Sequence, residues 1–282
     1  MCHIRSVLHL LIFCACCLIG ASVAVAGSNP WEKPLPFKEG IITIELSGSE
    51  QGQEVISIRE AGKQRAIRRQ STMATMAGQH VTDSLELVDP EWIYEYDLAA
   101  KTGSKSRNPA RIFQEELAKL SDKERKLVQA NAEKFGANVT SSMGGQVQEK
   151  AMKIHGFDCD LVSVMGSKVY MIHGTDIALQ SEVSVMGFEQ TGKASGVKLS
   201  APPASAFAHP QGIKAELDAE EEKATREMVA GMVQWLKDPK SNTAPFPKPG
   251  LSPAAPGEQQ PMDPAMQQAM EQLMKGMSGQ QQ

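Results

Sequence analysis

Cys159 lies between two histidines, a combination that can supply a thiol nucleophile or a metal site. It is the only cysteine beyond residue 17, and the stretch HGFDCDLVSVMGSKVYMIHG begins with His155 and contains His173. A cysteine beside a histidine base can attack carbonyl carbons, and the same pair can bind zinc. The third interpretation is a small apolar side chain packed in a sheet.

The alternation of apolar and polar residues in this stretch predicts a β-hairpin. The geometry of the hairpin then tests whether Cys159 and His173 can act together. Gly166 and Ser167 suit a two-residue loop. That loop places Asp160 opposite His173, so the two should meet across the strands. Since successive side chains point to opposite faces, Cys159 and His173 lie on different faces of the hairpin.

His155 is also a poor partner for Cys159. The two share a face, but four strand residues separate them by roughly 13 Å. A zinc site needs about four ligands, and no base is placed to activate the thiol. The sequence therefore favours Cys159 as a buried apolar residue.

The elements around this hairpin are mostly short alternating stretches broken by glycine, from Gly40 to about Leu199. Period-two stretches separated by short turns predict an antiparallel meander. The predicted strands cover 41–46, 55–58, 63–70 and 85–98, the last with a turn at Asp89-Pro90.

A helical block interrupts the strands. Apolar residues recur with helical spacing from Ile112 to Leu120. Ser121 and Glu124 match a capping box, so a second helix is predicted to start there. Gly136 is its predicted end.

The first 26 residues predict a secretory signal peptide. One positive charge precedes an apolar run shorter than the roughly 20 residues of a membrane span. Ala24 and Ala26 then form an A-x-A site, which predicts cleavage before Gly27. Lipoprotein anchoring at Cys16 is a weaker alternative, because bulky residues and further cysteines surround it.

The predicted mature chain, 27–282, is mildly acidic and has one cysteine. Removing Arg5 leaves 28 basic against 33 acidic residues, a net charge of −5. No basic run suggests nucleic-acid binding. A single cysteine forms no internal disulfide, so an apolar core must stabilise the fold. Residues 27–38 are predicted to be an irregular entry segment.

The C-terminal part has a different composition. Residues 214–237 predict a helix, with glutamates near its N-terminal end. Residues 238–282 are rich in Pro, Gln and Met, and predict a mostly disordered tail. Methionines with helical spacing occur within it: Met262, Met266, Met270, Met274 and Met277. Three interpretations remain: a weak packing face, a protein-binding stripe, or Cu(I) ligands.

Two segments resemble a known group of proteins. Trp92–Asp97 precedes a Lys-Thr-Gly-Ser-Lys turn, and Ile154–Asp160 precedes Gly166–Tyr170. These segments resemble a periplasmic domain family of unknown function that is similar to the outer-membrane lipoprotein-sorting carrier superfamily. The resemblance implies, for residues 39–213, a curved antiparallel half-barrel with helices packed on its concave side. It also implies binding of lipid or acylated protein.

We therefore predict an α+β, non-enzymatic, periplasmic protein that binds an apolar ligand, either lipid or an acylated lipoprotein. Catalytic motifs are not recognisable, and no cofactor or metal is predicted. The candidate cavity-lining residues are Trp92, Tyr94, Tyr96, Met165 and Tyr170. Peripheral membrane contact fits this prediction. The alternative is an envelope-interaction or metal-handling module that acts through the Met-rich tail on a protein partner.

Overall fold

The computed structural model describes residues 35–75, 78–142, 144–185 and 188–238. All of them belong to a compact unit that ends at Phe246. The predicted signal peptide lies outside the described residues. So do most of the entry segment and all but the first residue of the predicted tail, so the Met stripe is not described either.

The described residues form one large sheet of twelve strands. Its strands are β1 (Gly40–Gly48), β2 (Glu50–Arg59), β3 (Gln64–Thr75), β4 (Gly78–Val88), β5 (Trp92–Asp97), β6 (Thr102–Arg107), β7 (Gln146–Ile154), β8 (Phe157–Val164), β9 (Ser167–Ile172), β10 (Ala178–Val185), β11 (Phe188–Lys198) and β12 (Ala215–Leu217). Neighbouring strands are antiparallel except β12, which pairs parallel to β6.

Two meanders join at β1. The spatial order is β12-β6-β5-β4-β3-β2-β1-β11-β10-β9-β8-β7. Each meander connects strands that follow one another in sequence, and β11 closes the second meander by pairing with β1. The predicted antiparallel meander is confirmed, and the described residues form an open, mostly antiparallel sheet with three α-helices.

Two helices connect the meanders, and a third follows β12. They are α1 (Pro109–Ala118), α2 (Asp122–Ser142) and α3 (Ala219–Leu236). Asn108 caps α1 by accepting a hydrogen bond from the backbone N–H of Ala110 at 2.9 Å. The predicted capping box is confirmed, since the Ser121 backbone N–H donates to Glu124 Oε2 at 3.0 Å and the Glu124 N–H donates to Ser121 Oγ at 3.4 Å.

Two predicted helix boundaries are wrong. Helix α2 continues through Gly136 and ends at Ser142. An interior glycine costs only about 1 kcal/mol relative to alanine, which neighbouring residues can offset. The predicted helix 214–237 starts later, because Ala215–Leu217 pairs with β6 and Asp218 then caps α3.

Buried apolar side chains form three clusters. The helix cluster joins the three helices to β8 and β9: Ile112, Phe113, Leu117, Val128, Val162, Met171, Val229, Met232, Val233 and Leu236. The isoleucine cluster contains Leu35, Ile42, Ile44, Ile56, Ile58, Ile154, Cys159, Ile172, Ile177, Leu179 and Ala194. The tyrosine cluster contains Ala66, Leu87 and Tyr96, covered by Phe207, Ile213 and Ala215.

Candidate functional site

The hairpin around Cys159 has a different register from the predicted one. Its loop is Met165-Gly166, not Gly166-Ser167, and Cys159 pairs with Ile172. Both loop residues have positive φ, at 48° and 80°. A tight turn of this kind needs positive φ at both central positions, and glycine occupies the second of them. Each residue of β8 therefore pairs with a residue of β9 two positions earlier than predicted. A shift of two residues leaves every side chain on its predicted face.

Asp160 joins three segments at this hairpin. Its Oδ1 lies 2.7 Å from His173 Nδ1 and accepts a hydrogen bond from the Lys150 backbone N–H at 2.9 Å. Its Oδ2 accepts from the Gly174 N–H at 3.3 Å. The predicted contact between Asp160 and His173 is confirmed, and the buried carboxylate holds the irregular part of β7 against β8.

Cys159 is a packed side chain of the isoleucine cluster. It is 0% exposed, and its Sγ lies 3.5 Å from the Phe157 carbonyl oxygen. Burial raises the pKa of its thiol, which opposes thiolate formation. The Nε2 of His155 lies 2.8 Å from the Ala194 carbonyl oxygen, so this ring has a backbone partner.

Three of the predicted cavity-lining residues lie on one face of β5. Trp92 lies beneath two cations, the Lys105 ammonium at 4.7 Å and the Arg107 guanidinium at 5.1 Å from its ring centre. Tyr94 packs edge-on against His209, and Tyr96 Oη lies 2.6 Å from His209 Nδ1. This face is covered by the segment that precedes β12.

The other two predicted lining residues lie elsewhere. Tyr170 packs against the isoleucine cluster. Met165, in the hairpin turn, is 76% exposed. The structure therefore does not bring the five residues into one site.

A different set of side chains forms a continuous row across the opposite face. Ile42 pairs with Ile56, Ile56 with Ile67, Ile67 with Glu86, and Glu86 with Glu95. Directly paired residues share a face and lie within contact distance. The row is apolar at β1 and acidic at β5.

Burial decreases along this row, which we call the Ile–Glu row. Ile42 is 0% and Ile56 is 7% exposed, Ile67 and Glu86 are half-buried, and Glu95 is exposed. The apolar end is therefore enclosed, whereas the acidic end is open to solvent. Such a gradient suits a ligand with an apolar body and a polar head.

Glu86 has the most perturbed electrostatics of the row. Burial above all, and then repulsion from Glu95 and Glu54, raise its pKa from the ordinary 4.5 to about 7 against the attraction of Arg65. Its side chain is half-buried, so part of its surface still reaches water. A carboxyl of this kind exchanges its proton near neutral pH.

The helices pack on β8 and β9 through Val162 and Met171. Cys159 points to the opposite face of β8 from Val162, and it packs with Ile42 and Ile56 in the isoleucine cluster. Near the acidic end of the row, Glu221 in the first turn of α3 interacts with Glu95.

One ion pair joins distant parts of the sheet on the face that carries the Ile–Glu row. The two terminal nitrogens of Arg65, on β3, donate to the carboxylate of Asp176 at 2.6 and 2.9 Å. Asp176 lies between β9 and β10, and four strand spacings separate β3 from β10. On a flat sheet that separation is about 19 Å.

Sequence reasoning missed Glu86 and Glu95. In Leu85-Glu86-Leu87 the leucines predict the covered face and the glutamate a solvated one. Pairing through the Asp89-Pro90 turn would have shown that the two glutamates face each other, but nothing local shows that Glu86 is half-buried.

Comparisons with known proteins show no family. No family model matches the chain, and no curated protein matches it. Among solved structures, an uncharacterised conserved protein from Thermus thermophilus is similar at TM-score 0.37 and 6% identity, over 64% of this chain and 90% of that one. Two structures of PNGF-II have TM-scores of 0.34 and 0.30 at 10% and 14% identity, over 66% and 68% of this chain. The matches span 33% of PNGF-II.

Two further properties of the described residues bear on the site. They contain no group of three or more His, Cys, Asp or Glu side chains that could hold a metal ion. Within the same ranges, each helix is too short or too polar to cross a membrane.

Proposed function

We propose that this protein is an exported, non-catalytic binding protein for an amphiphile, either a lipid or the acyl chains of a lipoprotein. The apolar chain lies along the isoleucine end of the Ile–Glu row. The polar head lies toward Glu86 and Glu95. The observation that carries the proposal is the change along one cross-strand row from enclosed isoleucine to exposed glutamate.

Curvature of the sheet supports this proposal. The Arg65–Asp176 ion pair is much shorter than the separation of its strands on a flat sheet, and inward curling of the side with Arg65 accounts for this. Ile58 and Ile177 share the isoleucine cluster across the same gap. We therefore propose a half-barrel whose concave side carries the Ile–Glu row.

The helical layer is suited to act as a cover for the ligand. Helix α1 follows β6 directly, yet its buried residues pack with Val162 and Met171 of β8 and β9. It therefore links strands near opposite ends of the sheet. In the proposed function, an acyl chain enters between this layer and the half-buried Ile67.

Fluorescence of N-phenyl-naphthylamine, a neutral apolar dye, tests this function. The dye should bind the protein, and a lipid extract should displace it. Ile67→Ser should weaken dye binding about tenfold or more, since a side chain of this size contributes roughly 1.5–3 kcal/mol on burial.

Leu85→Ser is the matched control, because Leu85 is half-buried on β4 but lies on the opposite face. Circular dichroism establishes that both variants fold. Equal losses in the two variants, or an absence of dye binding in the parent protein, would contradict the proposed site.

A further inference from the structure

We propose that two adjacent hairpin tips dock this protein on a zwitterionic lipid bilayer. The first tip is the turn between β8 and β9, which contains Met165. The second is formed by Val185, the last residue of β10, and Phe188, the first residue of β11. We call this surface the tip patch. It lies apart from the Ile–Glu row, so the inference goes beyond the proposed ligand site and does not depend on it.

The two tips are neighbours at one end of the sheet. Strands β9 and β10 are antiparallel neighbours, and Val183 pairs with Ser167 next to both tips. The backbone N–H of Ser184 also donates to the Gly166 carbonyl oxygen at 3.3 Å. Two consecutive hairpins of a meander lie about 10 Å apart, at two strand spacings. The tips therefore present their side chains to the same surroundings.

The tip patch is apolar, uncharged and open to solvent. Met165 is 76% and Val185 is 41% exposed, and Phe188 is half-buried beside them. Neither residues 161–167 nor residues 183–188 include a charged side chain. Exposed apolar side chains gain free energy when they leave water, and adjacent ones mark an interaction site.

An open hollow of about 290 Å³ lies beside the tips and carries charges of both signs. Gly166 and Ser184 line it together with three charged residues, Lys168, Glu182 and Glu189. Within the described part of the chain, neither the Lys168 ammonium nor the Glu189 carboxylate forms an ion pair. A zwitterionic head group carries a phosphate and an ammonium close together, so it matches both charges.

Other occupants fit the tip patch less well. An anionic head group would meet two carboxylates for each ammonium in the hollow, and the net repulsion opposes it. A specific protein partner buries roughly 800 Å² on each side, more than the side chains of two hairpin tips present. A bilayer needs only small apolar side chains that enter its acyl region.

Co-flotation of the purified protein with vesicles of phosphatidylcholine and phosphatidylethanolamine tests this inference. The protein should bind the vesicles, and binding should persist in about 0.5 M NaCl, because salt screens exposed charges but does not weaken apolar insertion. Met165→Glu and Val185→Glu should each reduce the affinity for vesicles about tenfold, since each replaces an inserting apolar side chain by a charge. Lys168→Glu should reduce it about threefold, because the hollow then repels the lipid phosphate.

Leu199→Glu is the matched control and should bind vesicles like the parent protein. Leu199 is 59% exposed, but it follows the last residue of β11, at the opposite end of that strand from Phe188. Circular dichroism establishes that each variant folds. Binding of N-phenyl-naphthylamine should be unchanged in all of them, which separates the tip patch from the proposed ligand site.

An absence of vesicle binding, an equal loss in Leu199→Glu, or unchanged binding in Lys168→Glu would overturn the docking surface and leave the dye-binding test of the proposed function unaffected. Sedimentation without vesicles provides a further check. Conversion of a dimer to a monomer by Met165→Glu would show that a second copy covers the tip patch, and would also overturn the inference.

Discussion

Glu86 and Glu95 face each other across β4 and β5, and only Glu95 is freely exposed. Like charges placed directly opposite on a sheet destabilise it. The arrangement therefore costs stability, and it couples the fold to pH through Glu86, the less exposed member of the pair.

The first prediction concerns the pH dependence of stability. The pKa of Glu86 is about 7 in the folded protein against an ordinary value of 4.5, so the folded state retains the proton between these values while the unfolded chain loses it. Stability must then fall as pH rises from about 4.5 to 7, and stay lower above that. Glu86→Gln should stabilise the protein at about pH 8, by a few kcal/mol at most, and leave stability near pH 4 unchanged.

Urea unfolding of both proteins across this pH range measures the difference. Glu45→Gln serves as the exposed control. An equal change in the free energy of unfolding of Glu86→Gln near pH 4 and at about pH 8 would show that the pKa of the carboxyl is not raised.

The second prediction concerns Asp160. Asp160→Ala removes the acceptor of two backbone N–H groups and of His173, and should destabilise the protein by about 2 kcal/mol or more. His173→Ala should cost less, because the ring is partly solvated and leaves the two backbone bonds in place. Chemical denaturation gives both values, and a larger loss for His173→Ala would contradict the assigned role of the carboxylate.

The third prediction tests the curvature of the sheet. A thermodynamic cycle of Arg65→Ala, Asp176→Ala and the double variant measures the coupling between these two side chains, which form a partly buried ion pair. We expect a coupling energy of about 1 kcal/mol or more, which exceeds that of most exposed pairs. The pair Lys153 and Asp158 provides a comparison, since both side chains are about half exposed or more. Additive effects at Arg65 and Asp176 would mean that the two side chains do not meet in solution.

The fourth prediction concerns Cys159. Since its thiol is fully buried and its pKa is raised, it should react with a disulfide reagent very slowly in the folded protein and rapidly in denaturant. Absorbance of the released thiolate follows the reaction. Rapid reaction under native conditions would revive the interpretation of Cys159 as a nucleophile.

Local patterns predicted the elements well where neighbours in sequence decide the structure. The alternation in Ile41–Leu46 and in Trp92–Leu98 predicted strands, and Ser121 with Glu124 predicted a helix start, because these signals depend on backbone periodicity and on one capping contact. The boundaries at Gly136 and at Ala215 were wrong, because packing and strand pairing overrode weak local preferences.

The candidate site depended on contacts that no local pattern contains. Alternation determined that Leu85 and Leu87 share one face and Glu86 takes the other, and that Cys159 and His173 point apart. It could not determine what covers each face. The segment before β12 covers the tyrosines, the helices pack on Val162 and Met171 of β8 and β9, and Arg65 reaches Asp176.

The sequence by itself determined the strand periodicity, the antiparallel meander and the contact between Asp160 and His173. Only the tertiary structure decided that a polar position of β4, Glu86, is half-buried and lies beside a second carboxylate. The physical reason is that burial depends on residues distant in sequence that come to lie over a given face, whereas the direction of a side chain depends on its own strand.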